Sequence, residues 1–137
     1  MDSIDEHILE ILKKNSRTSF VEIAEEINLS EAAIRRRIQS LFSDGTIKRF
    51  TIDQTTSKVS SALVLVAVRP GTTTSAVSGK IRRLQTVQKV YEITGEYEIG
   101  VILDAPTTEG IRSTIEEIRK LEGVEDTRTS IILRDLI

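Results

Sequence analysis

The sequence predicts an α+β chain of two small domains, a three-helix bundle followed by a sandwich of two helices on a four-stranded sheet. Three observations lead there. Short, capped, amphipathic patterns fill residues 2–45. The run Asp53-Gln54-Thr55-Thr56-Ser57-Lys58 is polar and nearly devoid of hydrophobic side chains, as a linker is. Beyond it, strand and helix patterns follow one another in the order β-α-β-β-α-β. A chain of 137 residues has room for two such units, since ~60 residues often suffice for independent folding. The expected divisions are 1–53, a linker at 54–59, and 60–137.

In the first unit, Ile4, Ile8, Ile11 and Leu12 repeat at helical spacing after a possible cap at Asp2, which predicts a first helix that serves as scaffold. Ser19 and Glu22 have capping-box spacing, in which hydroxyl and carboxylate each satisfy a backbone N–H at a helix start. Val21, Ile23, Ala24 and Ile27 then form the buried stripe of a second helix, and Asn28-Leu29 makes a turn. Ser30 caps a third helix with Ile34, Ile38, Leu41 and Phe42 inward, and Gly45 suits the left-handed position that ends it. Ile47, Phe50 and Ile52, interleaved with Lys48, Arg49 and Thr51, read as a short strand or wing.

Two short helices joined this tightly outline a helix-turn-helix, whose second helix lies in the DNA major groove with its N-terminal residues at base edges. Ser30, Glu31, Ala32, Arg35, Arg36 and Gln39 fall on or near its outward side; with Arg37, Lys48 and Arg49 they are the candidate DNA contacts. An Arg fork matches the O6 and N7 acceptors of guanine, and flanking cations hold phosphates. A charge run can also be nothing more than a solvated face. Residues 30–49, however, hold five basic side chains against two acidic ones, in a half that is otherwise acidic.

In the second unit, Ala62 to Val68 is a continuous apolar, β-branched run closed by Pro70-Gly71, which predicts a central strand covered on both faces. Residues 74–84 are helical in pattern, with Val77, Ile81 and Leu84 on one side. Val87 to Thr94 alternates as a strand, Gly95-Glu96 turns, and Tyr97 to Leu103 returns. Thr107 or Thr108 caps a helix carrying Ile111, Ile115, Ile118 and Leu121, Gly123 ends it, and Val124 to Leu136 supplies a last strand. This is the ferredoxin-like order, which hosts many functions. Its open face would expose Leu65, Ala67, Ile102 and Ile132, a patch that calls for a second copy and fits two-fold DNA reading.

Composition excludes several classes. Without cysteine there are no disulfides, thiolate metal sites or iron–sulfur clusters, and no cofactor or metal is expected. No apolar run approaches the ~20 residues of a membrane span, and the acidic start is unlike a signal peptide, so a cytoplasmic location away from membranes is expected. The net charge of −2 removes any bulk electrostatic case for nucleic acid, leaving the local cluster. The third strand of the second unit lacks the stacking aromatics of an RNA-recognition sheet. An enzyme has little to work with: His7 is the sole histidine, Asp104 and Glu109 have no visible base or nucleophile beside them, and no glycine-rich phosphate loop is present.

Both halves together resemble the leucine-responsive/asparagine-synthase regulator (Lrp/AsnC) family of feast/famine transcription regulators. The marks are Asp5 to Leu12, Leu29-Ser30, Arg37 to Leu41 and Gly45-Thr46-Ile47 in the first half. In the second they are Thr94 to Glu98 and Gly123 to Ser130. Residues 30–38 and 47–52 are most similar to archaeal members, some of which regulate lysine biosynthesis. The resemblance implies double-stranded DNA as partner, homodimers assembling to tetramers or octamers, and an amino-acid effector held where dimers meet. Carried over by position, the effector site is Gly95, Glu96, Tyr97 and Glu98 with Thr129, Ser130 and Ile131. Glu98 could take an α-ammonium, Gly95 lets a backbone N–H approach a carboxylate, and Ser130 can add a hydrogen bond. Glu98 stands where the family more often has Asp, and Glu96 suggests a basic effector such as lysine or arginine. Read without the resemblance, Thr94 to Glu98 is a plain hairpin turn. The rival to DNA reading is an amino-acid-sensing or architectural assembly in which the helix-turn-helix contacts protein.

Overall fold

A computed structural model describes residues 1–54 and 59–136. The chain divides into two units, Met1–Gln54 and Thr55–Ile137. Of the linker expected at 54–59, residues 55–58 lie outside the described residues, while Gln54 and Val59 are exposed.

The first unit holds α1 (Ser3–Lys14), α2 (Phe20–Ile27) and α3 (Glu31–Ser43). Local side chains start all three. Asp5 N–H donates to Asp2 Oδ1 at 2.9 Å and Asp2 N–H to Asp5 Oδ2 at 3.0 Å. Glu22 N–H likewise donates to Ser19 Oγ at 3.2 Å and Ser19 N–H to Glu22 Oε2 at 2.7 Å. These backbone donors hold the Asp2 and Glu22 carboxyls below their usual range. Asn28 ends α2 in the left-handed region at φ 59°, so that Leu29 N–H reaches the Ala24 carbonyl at 2.9 Å. The chain then enters α3 at once, with Ser30 Oγ accepting from Ala33 N–H at 3.2 Å.

Ile8, Ile23 and Ile34 are wholly buried at the centre, ringed by Ile11, Leu12, Ala24, Ile38, Leu41 and Ile47. Phe42 departs from its expected inward place. It lies about 80° around the helix from Ile34 at 3.6 residues per turn, on the flank of the stripe, and is 38% exposed. Its ring meets Phe50 edge-on at 5.4 Å. Gly45 does take the left-handed conformation, at φ 79°. No strand forms over residues 46–54, where a wing was expected. A strand needs a ladder partner, and the described residues of this unit offer none.

The second unit is β1 (Ser60–Val68), α4 (Thr74–Ile81), β2 (Val87–Glu92), β3 (Ile99–Ala105), α5 (Thr108–Lys120) and β4 (Val124–Ile132). The antiparallel sheet has the order β2-β3-β1-β4. Ala62, Val64, Val66, Ile99, Val101 and Leu103 face the helices and are buried against Val77, Ile81, Ile111, Ile115 and Ile118. Thr107, not Thr108, caps α5, its Oγ1 accepting from Gly110 N–H at 3.1 Å. Gly123 leads from α5 into β4 at φ 94°, where a Cβ would stand 2.5 Å from Thr72 Cγ2; only glycine fits both conditions.

β1 is central, but only one of its faces is covered by this chain, because both helices pack on the same side. Leu63 is 37% exposed on the other. Directly paired residues share a face, so Leu63 lies with Ile102 and Ser130, Leu65 with Gly100 and Arg128, and Ser61 with Ile132. Four boundaries are tighter than the periodicity suggests. α4 stops at Ile81, β2 ends at Glu92, β3 starts at Ile99, and β4 ends at Ile132, leaving Leu133 94% exposed and Leu136 79% exposed.

Candidate nucleic-acid interface and effector site

Because Ile34, Ile38 and Leu41 are buried, the opposite side of α3 is free. Glu31, Ala32, Arg35, Arg36 and Gln39 line one open depression there, beside the Ser30 cap. The three consecutive arginines have three different environments. Arg35 Nη2 donates to Glu31 Oε1 at 2.8 Å, and its guanidinium lies 4.9 Å from the centre of the Phe20 ring. Arg36 is exposed and makes no ion pair or ring contact among the described residues. Lys48 and Arg49 are also exposed.

Arg37 departs from the expected DNA-facing set. Its Nη1 is 2.8 Å from Asp2 Oδ2 and 2.8 Å from Asp5 Oδ1, which ties α3 to the start of α1. Hydrogen bonds to these two carboxylates push the guanidinium pKa further up. Two of its five N–H donors, both on Nη1, go to the scaffold, and the helical period turns residue 37 toward α1 and away from Arg35 and Arg36.

In the second unit, the β2–β3 hairpin is closed by Ile93 N–H donating to the Glu98 carbonyl at 2.8 Å, with Gly95 at φ 125° in the turn. Glu98 continues the pairing with β1: its N–H donates to the Val66 carbonyl at 3.1 Å, and its Oε2 accepts from Val68 N–H at 2.9 Å. One oxygen of the expected ammonium ligand is thus bound to backbone. Tyr97 OH donates to Asp126 Oδ2 at 2.9 Å, which pushes its pKa up, and Arg128 stacks 5.2 Å from its ring centre. Glu96 is exposed.

Gly95 to Glu98 and Thr129 to Ile131 do not form one cluster within the chain. Ser130 pairs with Leu63, five residues along β1 from the Val68 that Glu98 holds, or roughly 16 Å at strand rise. Alternation also divides the β4 set. Ser130 faces the open side with Leu63, while Thr129 and Ile131 face the helix side opposite Val64 and Ala62. Thr129 Oγ1 is buried without a hydrogen-bond partner among the described residues. The sequence assigned no site role to Phe20, Asp126 or Arg128, all of which act across long-range contacts. Periodicity alone gives no register between β1 and β4.

The residues considered for catalysis are engaged elsewhere. His7 Nε2 lies 3.4 Å from Glu26, Asp104 accepts from Ser61 Oγ at 2.6 Å, and Glu109 accepts from Arg112 at 2.8 Å.

Comparison with known proteins agrees with this architecture. Residues 1–41 match the AsnC-type helix-turn-helix domain, and residues 61–137 match the Lrp/AsnC ligand binding domain. The chain is 44% identical over 134 residues to the HTH-type transcriptional regulator LysM of Sulfurisphaera tokodaii, covering 98% of this chain and 96% of that one. It is 46% identical over 134 residues to LysM of Saccharolobus solfataricus, with 98% and 94% covered. Among solved structures, PH0061 superposes with a TM-score of 0.90 at 26% identity, over 100% of this chain and 95% of that one. With both domains matched in order and relatives aligned over nearly their whole length, the chain belongs to the Lrp/AsnC family of helix-turn-helix transcriptional regulators.

Proposed function

We propose that this regulator reads duplex DNA with α3, in which Ser30, Glu31, Ala32, Arg35, Arg36 and Gln39 form the groove-facing surface and Lys48 and Arg49 hold flanking phosphates. The observation that supports this most is the convergence of five of those side chains on one solvent-open side of a capped helix, with Arg36 unpaired among the described residues. Arg37 is left out, since its side chain is turned toward α1, where Asp2 and Asp5 hold its Nη1.

In this reading the protein acts as a homodimer joined through the open sheet face around Leu63, Leu65, Ile102 and Ile132, with tetramers or octamers built from it. A two-fold dimer presents paired α3 helices to two half-sites. An amino acid is the effector, held by Gly95, Glu96, Tyr97 and Glu98 of one chain with Thr129, Ser130 and Ile131 of another. Supporting this are the ligand-binding domain match and the separation of the two residue sets along β1. The exposed Glu96 favours a basic amino acid such as lysine or arginine. No described helix is long and apolar enough to cross a membrane, in keeping with work on DNA in the cytoplasm.

The test is a mobility shift on the DNA upstream of the protein's own gene, at two salt concentrations, with and without a mixture of the twenty amino acids. Salt-sensitive, stepwise shifts that change with the mixture are expected, because phosphate contacts release counterions. Shifts that ignore the mixture would remove the effector from this reading. Failure to shift that DNA or any duplex enriched from a genomic library would favour α3 as a protein contact.

A further inference from the structure

We infer that Arg35 reads a guanine in the major groove, and that Phe20 and Glu31 are positioning residues that hold its fork for that base. The assignment rests on the DNA-binding reading above and divides the labour among the arginines. A guanine is recognised by two parallel N–H bonds to O6 and N7, which requires the guanidinium plane and edge to be set together. Arg35 has a contact bearing on each before DNA arrives. The Phe20 ring, 4.9 Å from the guanidinium carbon, restrains one face of the group; Glu31 Oε1, 2.8 Å from Nη2, restrains its rotation.

The fork is not used up by this support. A guanidinium has five N–H donors, and Glu31 takes one of the two on Nη2. Either the end-on edge shared by Nη1 and Nη2 or the side edge shared by Nε and Nη2 therefore keeps both its donors. The Arg35 side chain is 62% exposed, so that edge is open to a base. Its neighbours in the depression, Ala32 and Gln39, place it on the groove-facing side of α3. Arg36 lacks such support among the described residues. Ordering a free Arg costs up to ~2 kcal/mol of rotamer entropy, which suits a phosphate contact that tolerates many geometries and not a contact that discriminates.

Selection of binding sites from random duplexes by the full-length protein tests the assignment, followed by affinity measurements on the selected site and its single-base variants. Wild type should enrich a two-fold motif with a guanine in each half-site. Arg35→Ala should erase the preference at that position alone, a loss of about 10- to 100-fold in discrimination. Arg35→Lys should restore affinity with a weakened preference, because an ammonium can meet O6 and N7 but lacks the rigid planar fork that Phe20 and Glu31 hold. Glu31→Gln and Phe20→Leu should each weaken the same position about threefold or more, and add nothing further in the Arg35→Ala background. Arg36→Ala should lower affinity for all sequences alike and flatten the salt dependence.

A helix-content and melting check on each variant separates lost reading from lost folding, and Arg35→Lys keeps the test decisive if Phe20→Leu unfolds. A motif that Arg35→Ala and Arg35→Lys leave unchanged overturns the assignment while sparing the DNA-binding reading. So does a motif in which Arg36→Ala, and not Arg35→Ala, erases one position. Enrichment of no motif by wild type overturns the DNA-binding reading, and the assignment with it.

Discussion

Arg37 Nη1 stands 2.8 Å from Asp5 Oδ1 and equally close to Asp2 Oδ2, so one guanidinium ties α3 to the capping box of α1. This contact makes the third arginine a scaffold residue with a distinct pH signature. Asp2 has its folded-state pKa below the ordinary 3.8, first through the Asp5 backbone N–H and then through Arg37. A lowered carboxylate stabilises the fold above its unfolded pKa, and that contribution is lost as pH falls through the folded value. Arg37→Met should therefore lower the melting temperature by a few degrees at neutral pH, and the difference from wild type should shrink below pH 3.8. Circular-dichroism melts from pH 2 to 7 read this directly. At neutral pH the salt slope of DNA binding should stay that of wild type, the reverse of what a phosphate contact gives.

Asn28 separates α2 from α3 by holding φ 59° and ψ 49°, a conformation costly for most side chains. Asn tolerates it, and Gly takes it freely. Asn28→Gly should change stability by less than about 1 kcal/mol, whereas Asn28→Val should cost about 1–2 kcal/mol. Urea unfolding of the two variants checks the sign and the gap. Equal losses would place the constraint in the Asn side chain and not in the backbone.

What is legible in the sequence follows from how far each interaction reaches. Asp2, Ser19, Ser30 and Thr107 act within three residues, so these four helix starts are visible in the sequence, although Thr107 and Thr108 compete until φ and ψ decide. The alternation that buries Val64 and Val66 is hidden inside an uninterrupted apolar run. Which face of β1 lacks helices depends on where both crossovers go, a property of the whole unit. Arg37, Arg35 and Tyr97 look interchangeable with other polar side chains in the sequence. Their partners Asp2, Phe20 and Asp126 come from other elements, and only the packed chain reveals the pairings. The same limit applies to Glu98, whose carboxylate reads as a ligand group until Val68 N–H is found on it.

Glu98 consequently has two separable duties. Its carboxylate satisfies the Val68 amide, just past the Val66–Ile99 end of the β1–β3 ladder. In the effector reading, its charge also meets an ammonium. Glu98→Gln keeps an acceptor and should cost little stability, yet abolish any amino-acid response in the mobility shift. Glu98→Ala leaves a partly buried N–H unpaired and should cost about 1–3 kcal/mol as well. Thermal melts paired with mobility shifts distinguish the two. An unchanged amino-acid response in Glu98→Gln would move the ammonium contact to another residue.

Leu63 supplies the sharpest test of what covers the open sheet face. It lies centrally on β1, 37% exposed, between Ile102 on β3 and Ser130 on β4. A glutamate there points away from the helices, so the inner core formed by Val64 and Val66 is undisturbed and the unit should still fold. Across a two-fold interface, however, Leu63→Glu would bury two like charges in an apolar patch without partners. Sedimentation equilibrium should then give dimers or larger species for wild type and monomers for the variant at micromolar concentration. Affinity for a two-half-site DNA should fall about tenfold or more, because the second reading head is no longer held at high effective concentration. A Leu63→Glu protein that keeps its assembly would assign the interface to another surface and leave this face to a different partner.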